Sequence, residues 1–148
     1  MGYHASIDEY FLNMLRLVGT RSTCPRREVG AIITDTKGVV LAMGYNGVPR
    51  GMPHCIDLPC AGINDRPGDS SRCLAVHAEQ NAMLQCADLN RAFNLYVSCT
   101  PCFVCAKMIA NTAIRRIVTL EDYPDERSKE VFRARSIELF ISWQKSVI

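Results

Sequence analysis

Apolar residues recur at helical spacing near the start of the chain, and then the pattern changes to one typical of strands. Ser6 and Glu9 form a capping-box pattern, and apolar side chains follow at intervals of three and four residues as far as Gly19. This pattern predicts a first helix. Two β-branched runs, "VGAIIT" and "VVLAMGY", flank the turn sequence "DTKG", which predicts a hairpin over about residues 29–45.

The second half of the chain alternates between helical and extended patterns. "AVHAEQNAMLQCA" predicts a second helix, "AFNLYVS" a strand and "CFVCAKMIANT" a third helix, and then "RRIVTL", "DERSKEVFRAR" and "IELFIS" predict strand, helix and strand. Strands alternating with helices predict an α/β sandwich in which helices cover a mixed sheet. Because no internal repeat or linker divides the chain, we expect a single domain over residues 1–148.

The segment at 46–72 interrupts this alternation. It is rich in glycine and proline and has no sustained hydrophobic period. A loop of this length inside a compact domain needs some additional interaction to order it.

Composition narrows the class of protein. The 148 residues are 48% hydrophobic and 22% charged, and no apolar run approaches the ~20 residues of a membrane span. The first residues do not resemble a signal peptide, so we expect a soluble, cytoplasmic protein. A net charge of +2 is small for a nucleic-acid-binding protein. Eight cysteines in a reducing compartment favour metal binding over disulfides.

The stretch "SCTPCFVC" is the strongest candidate for a metal site. Cys102 and Cys105 lie three residues apart at the start of the predicted third helix, with Pro101 in its first turn, so both sulfurs face the same side. A helix N-terminus favours the thiolate form, which binds metals. A CxxC pair also occurs in redox sites, so the assignment depends on further ligands.

The "HAE" sequence at the predicted second helix supplies the missing groups. His77 offers a third ligand, and three ligands leave a tetrahedral zinc ion with one open position for an activated water. Glu79 can then move that water's proton. The H-x-E…P-C-x-x-C arrangement is recognised as the signature of zinc nucleobase deaminases. The alternative is a closed structural zinc knuckle with Cys99 as fourth ligand, although Cys99 is expected to pack as a small buried residue.

Five sequence stretches together resemble the deoxycytidylate (dCMP) deaminases. They are "RSTCPRREVGAII", "GYNGVPRG", "PHC", "HAEQNAMLQCA" and "YVSCTPCFVCAKMI", in this order. The resemblance implies a cytidine deaminase-like three-layer α/β/α sandwich with a central mixed five-stranded sheet. It also implies zinc-dependent hydrolytic deamination of dCMP to dUMP and ammonia, which supplies thymidylate synthesis. Hexamers, activation by dCTP with magnesium and inhibition by dTTP are further properties that the resemblance implies.

The resemblance also assigns site residues. It implies His77, Cys102 and Cys105 as ligands of the catalytic zinc and Glu79 as the proton shuttle.

Three further residues are carried over as substrate contacts. Asn46 is expected beside the sugar, with a turn residue before Gly47 as the alternative. Tyr123 is expected against the base, with a core tyrosine as the alternative. Arg26 is expected at the 5′-phosphate, with its neighbour Arg27 considered for the same contact and a solvated surface charge as the alternative for either residue.

A second, structural zinc would order the irregular loop, which we place at about residues 46–73. The resemblance implies Cys24 and Cys55 as ligands, and we add Cys60 and Cys73, with His54 as a substitute. Free buried cysteines are the alternative. Cys86, between apolar positions of the second helix, is expected in the core.

Other functions are possible for the same motifs. A free cytidine or deoxycytidine deaminase and a tRNA adenosine deaminase share both zinc motifs, but neither explains the cysteine-bearing insertion. A catalytically silent nucleic-acid-binding relative is the alternative from another class. The presence of Glu79 argues against that alternative, because a silent protein has no need of a proton shuttle.

Overall fold

A computed structural model describes residues 4–66 and 68–142 of the chain. Within these two ranges the fold contains four helices and five strands, and a short 3₁₀ helix, Ala61–Asn64, interrupts the long loop. The helices are α1 (Ile7–Gly19), α2 (Ala78–Gln85), α3 (Phe103–Ile109) and α4 (Glu126–Ala134). The strands are β1 (Gly30–Thr34), β2 (Val40–Tyr45), β3 (Asn94–Cys99), β4 (Arg116–Glu121) and β5 (Glu138–Ile141).

The five strands form one mixed sheet in the order β2-β1-β3-β4-β5. The predicted hairpin is present as the antiparallel pair β1 and β2, and β3 lies antiparallel on the other side of β1. β3, β4 and β5 are parallel, and helices connect them. Parallel neighbours require such crossover connections, which explains the strand and helix alternation of the second half of the sequence.

Helices cover both faces of the sheet. Along β1, Ala31 and Ile33 face the layer that contains α2, α3 and α4, whereas Ile32 packs with Tyr96 and Val118 against α1. Neighbouring residues of a strand point to opposite faces, so a strand buried on both faces is apolar throughout. The predicted three-layer α/β/α sandwich with a mixed five-stranded sheet is confirmed.

Two helices begin later than the sequence predicts. Val76 forms an isolated antiparallel bridge with Gly47, so the segment before α2 is extended and the helix begins at Ala78. In α3, Cys102 is the N-cap, which places Pro101 just before the helix instead of in its first turn. As a result, two candidate metal ligands are N-cap residues, His77 of α2 and Cys102 of α3.

Glycine at position 44 allows α2 to pack directly on β2. A Cβ at Gly44 would overlap the backbone of Ala78 and Ala82. A closely packed helix is therefore possible only with glycine at this position. This contact determines how deeply the first turn of α2 sits in the molecule.

Within residues 4–66 and 68–142, the structure contains no helix that is both long enough and apolar enough to cross a bilayer.

Candidate active site

Three candidate ligands meet where α2 and α3 begin. His77 is the N-cap of α2, Cys102 is the N-cap of α3, and Cys105 lies in the first turn of α3. The His77 Nδ1 atom is 3.5 Å from the Cys102 sulfur and 3.4 Å from the Cys105 sulfur. All three ligand atoms lie within 4.8 Å of one another.

The spacing of these atoms fits a tetrahedral zinc site. Zinc–sulfur and zinc–nitrogen bonds in proteins, joined at the tetrahedral angle, predict a nitrogen to sulfur separation of about 3.6 Å. Both observed nitrogen to sulfur distances are close to that value. Since the sequence brings one imidazole and two thiols together, the donor set also suits zinc. The three residues therefore fit an open, three-ligand zinc site.

Hydrogen bonds favour a thiolate at this cluster. The Cys105 thiol, His77 and the Cys105 backbone N–H all donate to the Cys102 sulfur, which lowers the pKa of Cys102 to about 4. The same donated proton, together with burial, raises the pKa of Cys105. The hydrogen bond to Cys102 raises the pKa of His77. These hydrogen bonds alone thus stabilise one thiolate, that of Cys102.

Glu79 lies beside this cluster on the buried side of α2. The Glu79 residue is only 4% exposed, and its carboxyl group lies next to the Cys105 thiol. Burial raises the pKa of Glu79, because the charged carboxylate loses its hydration. A raised pKa means that the carboxyl group keeps its proton to a higher pH. A buried carboxyl group of this kind next to a metal site is suited to proton transfer.

A cavity of about 590 Å³ opens above these residues. This volume is in the range of small-molecule sites. The cavity is lined by the segment before β1, the long loop, the starts of α2 and α3, and the segment after β4. The lining includes every sequence-predicted ligand of the first metal site except Cys105, together with Glu79, Asn46, Tyr123 and Arg26.

Asn46 lies at the end of β2 and is 7% exposed. Its Oδ1 accepts from the Val29 N–H at 2.9 Å, and its Nδ2 donates to the Arg27 carbonyl at 2.8 Å. An amide has a second N–H and a second lone pair, so one of each remains for a ligand. The alternative of a turn residue does not account for these hydrogen bonds, which connect the end of β2 to the segment before β1.

Tyr123 follows β4 and lines the cavity, so it is not a core tyrosine. A Cβ at Gly68 would lie 3.0 Å from the Tyr123 hydroxyl. Gly68 also has a positive φ of 88°, which glycine adopts at low cost. The long loop thus approaches Tyr123 closely across the cavity.

Arg26 lines the cavity, but its guanidinium points at the long loop. Its terminal nitrogens donate to carbonyl oxygens of that loop, the shortest contact being 2.7 Å to Gly62. The alternative of a solvated surface charge therefore does not describe Arg26. The expected phosphate contact also lacks support, because both terminal nitrogens already have acceptors.

Several cavity residues were not predicted. Phe103 makes two cation–π contacts, with the Arg127 guanidinium and the Lys107 ammonium each 4.8 Å from its ring centre. Arg127 also forms a two-point hydrogen bond with Asp125. Phe103 could have been found, since it directly follows a ligand in "CFVC". Arg127 lies on a charged helix whose sequence carries no comparable signal.

The proposed second cysteine set is only partly assembled. The Cys55 and Cys60 thiols contact each other, and Cys24 is close enough to affect the Cys55 thiol. Within the two described ranges, however, the only group of three or more ligand atoms that all lie within 4.8 Å of one another is that of His77, Cys102 and Cys105. The set Cys24, Cys55, Cys60 and Cys73 is therefore not gathered as predicted, and His54 is exposed.

Cys99 stands apart from both groups. It lines the cavity at the end of β3, and burial raises the pKa of its thiol to about 12. Among the described residues, the Cys99 sulfur does not belong to the group of ligand atoms that His77, Cys102 and Cys105 form. This agrees with the expectation that Cys99 is not a ligand.

Comparison with known proteins places the chain in a family. Residues 5–121 match the cytidine and deoxycytidylate deaminase zinc-binding region. The deoxycytidylate deaminase of Mycobacterium phage D29 is 40% identical over 127 residues, which cover 80% of this chain and 94% of the phage protein. ComE operon protein 2 of Bacillus subtilis is 38% identical over 121 residues, covering 80% of this chain and 61% of that protein.

A solved structure is similar over nearly the whole chain. The dCMP deaminase of cyanophage S-TIM5, crystallised in complex with dCMP and dUMP, superposes with a TM-score of 0.77 at 27% identity. The match covers 95% of this chain and 100% of that one. With a conserved fold, a matching zinc-binding region and a close phage relative, this chain belongs to the cytidine and deoxycytidylate deaminase family.

Proposed function

We propose that this protein deaminates dCMP to dUMP and ammonia. The observation that carries the proposal is the buried Glu79 beside His77, Cys102 and Cys105 at a cavity of nucleotide size. The similarity to the S-TIM5 enzyme in complex with dCMP and dUMP supports the choice of substrate. The product dUMP would then be consumed in thymidylate synthesis.

In the proposed reaction, His77, Cys102 and Cys105 hold the zinc ion and Glu79 moves protons. Bound zinc supplies Lewis acidity, which makes a water molecule nucleophilic at neutral pH. The Glu79 carboxylate takes a proton from that water as its oxygen bonds to C4 of the pyrimidine. Glu79 gives this proton to N3. It then takes the remaining proton from the hydroxyl group on C4 and passes it to the amino group, so that the C4–N bond breaks, ammonia leaves and the C4 carbonyl forms.

Two cavity residues orient the nucleotide in this proposal. The free N–H and lone pair of Asn46 hydrogen-bond a hydroxyl of the sugar, because its other two positions are used by backbone groups. Tyr123 packs against the pyrimidine ring from the loop after β4. Both roles agree with those implied by the sequence resemblance.

The direct test is loss of absorbance from dCMP, with deoxycytidine at equal concentration, using zinc-loaded protein. Turnover of dCMP with little turnover of deoxycytidine would support the proposal. A preference for deoxycytidine would replace it with a nucleoside deaminase. Turnover of neither compound, with dCTP and magnesium added, would refute a deaminase of either kind.

A second, structural zinc in the long loop is also proposed. Cys55 and Cys60 already contact, and the backbone N–H groups of Leu74 and Gly62 donate to the Cys60 sulfur, which lowers its pKa. A thiolate held by backbone donors is ready to bind a metal. Cys24 and Cys73 are not gathered with this pair into one group of ligand atoms, so metal binding would have to bring them, or His54 as the substitute ligand, towards it. Metal analysis of a Cys55→Ser, Cys60→Ser variant should then show one zinc fewer per chain than the unchanged protein.

Regulation and assembly are proposed as in the resembling family. Activation by dCTP with magnesium, inhibition by dTTP and a hexamer are expected, with "GYNG" as the effector region. The Gly47–Val76 bridge supports this region, because it joins "GYNG" to the residue before His77. A cytoplasmic location stays a prediction from the sequence.

A further inference from the structure

The guanidinium of Arg26 faces backbone carbonyls of a loop that is distant in sequence. One terminal nitrogen donates to Gly62 at 2.7 Å and lies 3.4 Å from the carbonyl oxygen of Asp69. The other lies 3.3 Å from the carbonyl oxygen of Asp65 and 3.4 Å from that of Arg66. Four carbonyl oxygens therefore surround one cation, and a planar guanidinium has enough fixed donors to reach all of them.

The loop that carries these carbonyls, residues 61–73, lacks a hydrophobic anchor over most of its length. From residue 64 to residue 73, none of the described residues is buried. Asp65 pairs with Arg72, and the Asp69 carboxylate accepts from the Ser71 N–H at 2.9 Å. These contacts maintain the shape of the loop, but they do not tie it to the sheet. Few buried apolar contacts make a segment easy to displace.

The same loop forms part of the cavity wall. Asp65, Gly68, Asp69 and Ser70 line the cavity that also contains Glu79. Gly68 approaches the Tyr123 hydroxyl from the opposite segment. A small displacement of the loop would therefore change the width of the cavity at Tyr123, while the metal-binding residues on α2 and α3 would stay in place.

We propose that Arg26 is a positioning residue, which holds residues 61–73 as a wall of the nucleotide cavity. The inference rests on the proposed deamination of dCMP. It adds that Arg26 determines affinity for the nucleotide through the loop carbonyls and not through the 5′-phosphate.

The test compares Arg26→Gln and Arg26→Lys with the unchanged protein. Arg26→Gln loses the charged donors, so we expect the KM for dCMP to rise about tenfold. The kcat should stay within about threefold, because only binding is affected. Zinc content should not change, and amide hydrogen exchange of residues 61–73 without nucleotide should become faster. Arg26→Lys keeps the positive charge but loses the planar guanidinium, so its KM and its hydrogen exchange should lie between those of the unchanged protein and Arg26→Gln. If Arg26→Gln does not fold, Arg26→Lys takes its place in the comparison.

Arg50→Gln is the matched control. Arg50 is an exposed arginine of the same long loop, so its substitution should leave KM and hydrogen exchange unchanged. A raised KM in Arg26→Gln with unchanged exchange in the nucleotide-free protein would indicate direct phosphate contact and overturn the inference.

The exchange measurement also separates this inference from the proposed function. If the unchanged protein does not convert dCMP, the proposed function fails. Faster exchange of residues 61–73 in nucleotide-free Arg26→Gln would still establish the loop contact, and unchanged exchange would refute it.

Discussion

His77 and Cys102 occupy the same position in two different helices, and their ligand atoms lie 3.5 Å apart. Each is an N-cap residue with an extended backbone, at ψ 155° and 169°. N-cap side chains usually satisfy the free N–H groups of the first turn. Here the Gln80 side chain accepts from the His77 N–H, and the Cys102 sulfur accepts from the Cys105 N–H. Both ligands thus lie at the N-cap position of a helix, so the starts of α2 and α3 determine where the ligand atoms meet.

Replacing Glu79 with glutamine should remove catalysis and leave the metal site intact. Glutamine nearly matches the volume of glutamate, which matters for a residue that is 4% exposed, but it cannot shuttle a proton. General acid–base catalysis contributes on the order of 10²–10⁴ in rate, so kcat should fall by at least about 10²-fold. Steady-state turnover of dCMP and zinc content per chain are the two measurements.

The control for this variant is Glu130→Gln, which changes an exposed glutamate of α4. Its turnover should match that of the unchanged protein. If Glu79→Gln loses its zinc, Glu79 is needed for metal binding, and its assignment as a proton shuttle only is wrong.

Serine substitutions should distinguish the ligand cysteines from Cys99. Cys102→Ser removes a stabilised thiolate, so zinc content should fall by about one ion per chain and activity should be lost. Cys99→Ser changes a thiol that lies outside the group of ligand atoms, so zinc should be retained. Zinc retained by Cys102→Ser, or lost by Cys99→Ser, would contradict the assigned ligand set.

Local patterns account for most of the fold. The Ser6 and Glu9 capping box is present, with the Glu9 N–H donating to the Ser6 Oγ at 3.2 Å and the Ser6 N–H donating to Glu9 at 2.7 Å. The helix ends at Gly19, as the hydrophobic spacing predicts. Short-range hydrogen bonds and periodic burial leave signals within a few residues, so such elements are predictable from one sequence.

The site was only partly predictable, because its parts depend on contacts between distant segments. The spacing of Cys102 and Cys105 is a local signal, and their combination with His77 is recognisable as a motif. The Arg26 contacts join residues 36–43 positions apart, and the Arg27–Glu121 ion pair joins residues 94 positions apart. No local pattern encodes either contact. The positive charge of Arg26 predicts an anionic partner such as the 5′-phosphate, whereas its partners in the structure are loop carbonyl oxygens.

Gly44→Ala should move α2 and weaken the metal site. The added Cβ would overlap the backbone of Ala78 and Ala82, so the helix must shift away from β2. Overpacking of this kind costs about 1–3 kcal/mol. We expect a lower melting temperature and reduced zinc affinity. The control is Val40→Ala on the same strand, since Val40 is exposed. Unchanged zinc affinity in Gly44→Ala would show that the position of α2 does not depend on this contact.

The ion pair of Asp8 with Arg116 should make stability depend on acidic pH. Arg116 donates to both carboxylate oxygens, at 2.9 and 2.6 Å, and lowers the pKa of Asp8. A lowered folded-state pKa means that the stabilisation is complete above the unfolded value, about 3.9, and is lost as pH falls through the folded value. Asp8→Asn should cost about 1 kcal/mol at neutral pH and flatten the acid limb of the stability curve.

Thermal unfolding at a series of pH values checks this prediction. Glu130→Gln is the control, because it changes only an exposed carboxylate. Any destabilisation that acid causes by releasing metal should be the same in this variant as in the unchanged protein. If Asp8→Asn and Glu130→Gln lose stability in parallel below about pH 4, the acid sensitivity arises elsewhere.

The outer face of α2 is the surface on which we expect subunits to meet. Leu84 is 76% exposed on this helix, and the exposed Met43 and Met108 belong to segments that hydrogen-bond to α2, since Gln85 donates to the Met43 carbonyl and Gln80 to the Met108 sulfur. Several exposed apolar side chains on or next to one helix are a candidate protein contact surface. Leu84→Glu would place a charge there, so it should reduce the mass measured by light scattering.

Leu17→Glu is the matched control, because Leu17 is 71% exposed on α1, in the opposite layer. This variant should keep the mass of the unchanged protein. Dissociation by Leu17→Glu and not by Leu84→Glu would place the subunit contact on the α1 face instead. Since α2 carries His77 and Glu79, a contact through Leu84 would also connect assembly to the metal site, so the dissociated Leu84→Glu protein should bind zinc less tightly than the Leu17→Glu protein.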